Sequence, residues 1–162
     1  MALEVERKFL VRDDSWRTLP DGTEVEGVPF RQGYLPTADL TTVRVRLEGT
    51  RARLTIKSKN QGLTRQEYEY AIPQQDANEM LDTLCRQPQI EKTRYYRREN
   101  GLLWEIDVFA GPNAGLVLAE VELEHPDQEV RLPPWVGREV SDDSRYFNVN
   151  LARHPYSEWS LS

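Results

Sequence analysis

Apolar and polar positions alternate with a two-residue period through most of the chain, as in a β-strand whose two faces meet different surroundings. The runs lie at 4–11, 30–36, 42–48, 51–58, 64–72, 89–99, 102–110 and 116–125. Pro- and Gly-rich stretches at 20–36 and 111–115 punctuate them as inter-strand loops rather than domain linkers. Helical spacing is rare. Behind Pro73, the residues Ala77, Met80, Leu81 and Leu84 recur at the helical period, which predicts a helix to about Arg86, ended before Pro88. Asp13-Asp14-Ser15 predicts the cap of a short turn through Leu19. Asp142-Asp143-Ser144 predicts that of a final helix through Ala152, with Asp13 and Asp142 as the capping residues. There is no internal repeat, so one domain over 1–162 is expected.

The faces opposite the apolar ones carry charges of a single sign at i and i+2, and both members of such a pair share a face. Acidic pairs are Glu4/Glu6, Glu67/Glu69, Glu105/Asp107 and Glu120/Glu122; basic pairs are Arg44/Arg46, Lys57/Lys59 and Lys92/Arg94. A solvated sheet face is the plain explanation. Solvated faces usually mix both signs, however, whereas here the signs are segregated run by run. A sheet curled around its charged faces accounts for this, provided that the enclosed charges neutralise one another or meet charged guests.

Charged residues make up 30% of the chain, above the roughly 25% of ordinary domains. The net charge of −6 argues against a general nucleic-acid binder, which attracts the phosphate backbone with a basic field. Cys85 is the single cysteine, which excludes an internal disulfide and a Cys-based zinc site. Neither a basic leader nor a long apolar stretch is found, so a soluble, cytoplasmic protein without membrane or nucleic-acid partners is expected. A carboxylate cluster beside Lys8, Arg44, Arg46, Lys57, Lys92 and Arg94 suits hard divalent cations together with a polyanion: carboxylate oxygens for Mg²⁺ or Mn²⁺, Arg and Lys for phosphate.

Glu4-Val5-Glu6-Arg7-Lys8 resembles the E-x-E-x-K signature of the CYTH, or triphosphate tunnel metalloenzyme, superfamily. Arg44-Val45-Arg46, Thr55-Ile56-Lys57, Glu67-Tyr68-Glu69, Lys92-Thr93-Arg94, Glu105-Ile106-Asp107, Glu120-Val121-Glu122 and Arg145-Tyr146-Phe147-Asn148 follow in family order. The small bacterial inorganic triphosphatases are the branch it resembles most. The resemblance implies a mainly β (α+β) fold: an eight-stranded antiparallel β-barrel forming a tunnel, charged residues inside, a few helices packed outside.

It also implies roles. Lys8, Arg44, Arg46, Lys57, Lys92 and Arg94 would hold a triphosphate, joined by Arg145 from the final helix. One Mg²⁺ or Mn²⁺ would use Glu120, Glu122 and Glu69 or Asp107. A second, near Glu4 and Glu6, would activate the attacking water, with Lys8 beside them. The expected reaction is hydrolysis of inorganic triphosphate to phosphate and pyrophosphate. Thiamine or nucleoside triphosphatase, class IV adenylate cyclase, and a noncatalytic polyphosphate or nucleotide sensor remain open, as does a homodimer. Glu105 and Glu67 are equally readable as ion-pair partners of tunnel bases. Lys59, Arg51, Arg53, Arg65 and Glu124 are expected at the rim. His125 and His154 are expected in loops or at helix ends, the four Trp residues in packing, and Cys85 as a small buried residue.

Overall fold

The computed structural model describes residues 2–59 and 61–159. Its strands are β1 (Ala2–Val11), β2 (Gly27–Leu35), β3 (Thr42–Glu48), β4 (Arg51–Lys57), β5 (Thr64–Ala71), β6 (Ile90–Glu99), β7 (Leu102–Phe109), β8 (Val117–Glu122) and β9 (Val136–Glu139). The first eight coincide with the alternating runs. All pair antiparallel in the order β5-β4-β3-β2-β6-β7-β8-β1. Pairing of Ala2–Val5 in β1 with Thr64–Glu67 in β5 closes the ring into an eight-stranded barrel.

Strand β1 serves two edges. Glu6–Leu10 pair with β8 on one side, while β5 and then β9 share the other, with Phe9 opposite Glu139 and Val11 opposite Val136. Strand β9 was not foreseen: four residues behind Pro133-Pro134 are too few to show a period.

The outward faces are apolar where something covers them. Trp16, Trp104 and Trp135 pack with Val5, Phe9, Ile106 and Val121 in one cluster. Trp104 lies edge-on to both Phe9 and Trp135, at centroid distances of 5.7 and 5.5 Å. Helix α1 (Gln74–Thr83) lays Ala77 and Leu81 over Val45 and Ala52 of β3 and β4. It stops before the expected Arg86 because the amides of Leu84 and Cys85 both return to the Met80 carbonyl, and that of Arg86 bonds Tyr34 in β2. Its close seat on β2 depends on Gly33, where a Cβ would lie 2.9 Å from that of Cys85.

The expected C-terminal helix is divided. Asp143, rather than Asp142, caps a 3-10 turn at Ser144–Tyr146 by accepting from the Arg145 amide at 3.2 Å. Phe147 is then extended, and α2 (Asn148–Arg153) begins after it. The break leaves the Tyr146 carbonyl free to accept from Lys8 Nζ at 3.1 Å. Near the N-terminus, Asp13 accepts from the Ser15 amide at 2.9 Å, but the N-cap of the turn Ser15–Arg17 is Asp14, and the turn ends before the expected Leu19. Among the described residues no helix is long and apolar enough to cross a membrane.

Candidate active site

Strand register turns the one-signed pairs towards the inner side of the ring, where all of their members except Lys59 and Asp107 line a cavity of about 360 Å³. Lys8 reaches it from β1, Arg44 and Arg46 from β3, Lys57 from β4, Lys92 and Arg94 from β6; the carboxylates come mainly from β1, β5, β7 and β8.

Each base is held by a specific neighbour. Lys57 Nζ lies 2.8 Å from Glu4 and 3.5 Å from Glu67. Lys8 Nζ lies 3.3 Å from Glu120. Arg94 forks onto both oxygens of Asp107 at 2.7 and 2.8 Å and also pairs with Glu105. Lys92, whose side chain is wholly buried, lies 2.7 Å from Asp107 and donates to Asn148 Oδ1 at 2.9 Å. Arg46 donates to Gln32 Oε1 at 2.8 Å and Arg44 to Thr55 at 3.1 Å; Arg44 Nε is buried without a hydrogen-bond partner. The ring of Phe30 lies 4.9 Å beneath both Arg46 and Arg94.

This crowding has electrostatic consequences. Burial pushes the Lys92 ammonium down to about 7; Asp107 opposes the fall, while Arg94 and Arg46 add to it. Arg46 is lowered to about 10 by burial and then by Arg44 and Arg94. On the acidic side, burial and then the Glu120 and Glu4 carboxylates raise Glu6 well above the ordinary carboxylate range. Burial also works against ionisation of Glu120, but Lys8, Arg94 and Lys92 outweigh it and hold that group well below the range.

The inner face changes character towards one end. Leu10, Tyr34, Phe109 and Leu118, on the same face as the charges, pack with Tyr146, Leu151 and Ala152 of the C-terminal segment. That segment therefore stoppers this end of the barrel instead of lying wholly outside it. Glu48, Arg53, Glu69, Tyr96 and Glu105 gather on the cavity wall away from it. There Arg53 pairs with Glu69 and lies 3.5 Å from Glu48.

Of the residues singled out in the sequence, Glu4, Glu6, Lys8, Arg44, Arg46, Lys57, Glu69, Lys92, Arg94, Glu120 and Glu122 line this one cavity. Two do not. Asp107 lies behind the wall, 1% exposed and consumed by Arg94 and Lys92. Arg145 points away: its side chain is 57% exposed, paired with Asp143 at 2.7 Å and stacked over Trp159. Arg53 and Arg65, expected at the rim, belong to the cavity, and Arg65 donates to Glu4 at 3.1 Å. Arg51, Lys59 and Glu124 are exposed, His154 follows α2, and Cys85 is half-buried at the end of α1. Phe30, Glu48 and Tyr96 are not singled out in the sequence, and Gln32 and Asn148 enter only inside family-like motifs with no role of their own; a neutral or isolated residue on a charged face makes no sign pattern.

A closed antiparallel barrel that turns acids and bases into its lumen defines a tunnel-type barrel, in which the lumen rather than a surface cleft is the site. The chain belongs to the CYTH family, whose domain model matches residues 2–156. It is 43% identical over 159 residues to an inorganic triphosphatase of Acetivibrio thermocellus, covering 98% of this chain and 99% of that one. It is 46% identical over 153 residues to an inorganic triphosphatase of Nitrosomonas europaea, covering 92% and 96%. A crystal structure of an inorganic triphosphatase, 42% identical, superposes with a TM-score of 0.64 over 92% of this chain and 97% of that one. The fold alone is shared with a Hippeastrum protein, 18% identical, at a TM-score of 0.56 over 76% and 81%.

The family implies a divalent metal, and the donor chemistry here suits one. Glu6 stands directly opposite Glu122 across the β1–β8 pair, a like-charge pairing that a cation would relieve, whereas Glu105 and Glu120, opposite one another across β7–β8, already have Arg94 and Lys8 beside them. No three His, Cys, Asp or Glu side chains among the described residues form a ready-made cage.

Proposed function

We propose that this protein is a divalent-metal-dependent inorganic triphosphatase, which hydrolyses triphosphate to phosphate and pyrophosphate inside the barrel. The observation that carries this reading is the convergence of Lys8, Arg44, Arg46, Lys57, Lys92 and Arg94 from four strands onto one small cavity. Two relatives above 40% identity that carry the same name add weight.

Phosphoryl transfer asks little covalent chemistry of a protein; it asks that reactants be aligned and developing charge be neutralised. The six bases supply both. Arg44 and Arg46 offer forks for non-bridging oxygens, Lys8, Lys57 and Lys92 offer compact charges, and Asp107 fixes Arg94 in direction. The buried Arg44 Nε lacks a partner, at a typical cost of roughly 1–3 kcal/mol, which a phosphate oxygen would offset. Water attacks a terminal phosphorus, the anhydride bond breaks, and pyrophosphate leaves with the bond's electrons. Glu4, Glu6, Glu120 and Glu122, with Glu69, would hold Mg²⁺ or Mn²⁺. When bound, the metal supplies charge neutralisation on phosphoryl oxygens and lowers the pKa of the attacking water.

In this proposal one domain carries the whole activity and works in the cytoplasm without nucleic-acid or membrane partners, as a monomer or a two-fold dimer. Phosphate release from inorganic triphosphate, ATP and thiamine triphosphate, each with Mg²⁺, Mn²⁺ and chelator, tests it. A metal-dependent preference for inorganic triphosphate is expected. Greater activity on an organic triphosphate makes the protein an organic triphosphatase. Binding without turnover makes it a cyclase or a sensor, which cyclic AMP formation from ATP separates.

A further inference from the structure

Two bases of the cavity, Arg46 and Lys92, are tied together by neutral amides. Gln32, 0% exposed, accepts from Arg46 Nε through Oε1 at 2.8 Å. Its Nε2 donates to Asn148 Oδ1 at 3.3 Å and to the Tyr34 hydroxyl at 3.2 Å. The same Asn148 oxygen accepts from Lys92 Nζ at 2.9 Å. The chain of bonds thus runs Arg46, Gln32, Asn148, Lys92 across β3, β2, α2 and β6.

The direction of this chain is determined by its ends. Arg46 and Lys92 are donors only, so an oxygen must face each of them. An amide oxygen toward Arg46 leaves Gln32's NH₂ toward α2, and an amide oxygen toward Lys92 gives that NH₂ its acceptor. Turning either amide over sets donor against donor at a base. Unlike Asp107, the two amides orient their cations without cancelling charge that a polyanion needs.

We propose that Gln32 and Asn148 are positioning residues that act as one unit, fixing Arg46 and Lys92 relative to each other and registering both to the C-terminal helix. This rests on the triphosphatase reading of the same cavity. Substituting Gln32 removes the anchor of Arg46 Nε and leaves that side chain only its longer ion pair with Glu48 at 3.3 Å; substituting Asn148 leaves Lys92 to Asp107 alone and, through Gln32, loosens Arg46 as well. The effects of the two substitutions are therefore shared rather than independent.

The test is a double-mutant cycle on the full chain with Gln32→Met, Asn148→Ala and the pair, read as KM and kcat for inorganic triphosphate, as triphosphate affinity by calorimetry, and as melting temperature. Each single variant is expected to raise KM about tenfold with a smaller change in kcat, and the pair to be no worse than the worse single variant. Gln32→Glu is expected to weaken binding more than Gln32→Met, because it opposes an acceptor to Asn148 and adds a negative charge. Independent effects that multiply in the pair, or wild-type affinity in Gln32→Glu, overturn the relay. A wild-type protein that neither binds nor hydrolyses triphosphate overturns the functional reading instead. If the Gln32 variants do not fold, Asn148→Ala and Arg46→Ala form a second cycle. These residues share no direct bond, so the relay predicts that Asn148→Ala loses the part of its effect that passes through Gln32 once Arg46 is gone and keeps the part exerted on Lys92, giving a pair less than multiplicative; fully multiplicative losses overturn it.

Discussion

Asp107 holds Arg94 by both carboxylate oxygens and Lys92 by one of them, three bonds of 2.7–2.8 Å around a group that solvent does not reach. Removing one partner of a buried pair is costly because the other charge stays behind, typically by about 3–5 kcal/mol. Asp107→Asn is therefore expected to lower the melting temperature by roughly 6–20 °C, at about 2–4 °C per kcal/mol for a chain of this size. Added triphosphate should recover part of the loss by pairing the released bases. An unchanged melting curve would show that Asp107 does not carry this charge.

Lys92 gives the cavity a pH response near neutrality. Its folded pKa of about 7 lies below the ordinary 10.5. Between those values the unfolded chain binds more protons, so this group's contribution to stability rises with pH across that window. Triphosphate prefers the protonated form, so the effect on binding has the opposite sign, and affinity should fall as pH climbs through about 7. Lys92→Arg keeps the charge and should remove the step. Calorimetric titrations between pH 6 and 9, on both proteins, decide this; a step that survives in Lys92→Arg belongs to another group.

Glu4 and Glu6 are expected to affect turnover more than affinity. Glu4→Gln loosens Lys57 and Arg65, which its carboxylate holds at 2.8 and 3.1 Å. Either Glu4→Gln or Glu6→Gln should reduce kcat on the order of 10²-fold or more, the scale seen when transition-state charge stabilisation is lost. Arg44→Ala and Arg46→Ala should raise KM as well. Wild-type turnover in either glutamine variant would dismiss the carboxylates from the chemistry.

Arg145→Ala is expected to leave KM within about twofold of wild type, since surface ion pairs such as that with Asp143 contribute little. A large loss of affinity in this variant would mean that the side chain swings into the cavity when substrate binds.

Gly33→Ala tests the seat of α1. The new methyl would lie 2.9 Å from Cys85 Cβ and 3.1 Å from Leu81 Cδ2, both packed on the helix side. Overpacking of this kind typically costs about 1–3 kcal/mol. A drop of roughly 2–12 °C in melting temperature is expected, with KM for triphosphate little changed. A stabilised variant would contradict the packing.

Much of this arrangement is legible in the chain itself, because a strand with one-signed charges at i and i+2 announces both its period and its enclosed face. Arg44 and Arg46 could be given one face of their strand, and Lys92 and Arg94 one face of theirs, from the sequence alone. What the pattern could not convey is depth along a strand. Glu105 and Asp107 have the same signature, yet one reaches the cavity and the other sits behind Arg94. Arg145 stands in a family-like motif, but the extended Phe147 that follows it separates the turn from α2. Gln32 and Phe30 serve the bases from below, and neither an amide nor a ring leaves a trace in a reading of charge.

The apolar stopper built from Leu10, Phe109, Leu118 and the C-terminal segment closes off one end of the barrel, so that substrate and both products share the end where Glu48, Arg53 and Tyr96 gather. Phosphate or pyrophosphate lingering among the bases keeps the next triphosphate waiting outside, so the pace of the enzyme at saturation is governed by departures as much as by bond breaking.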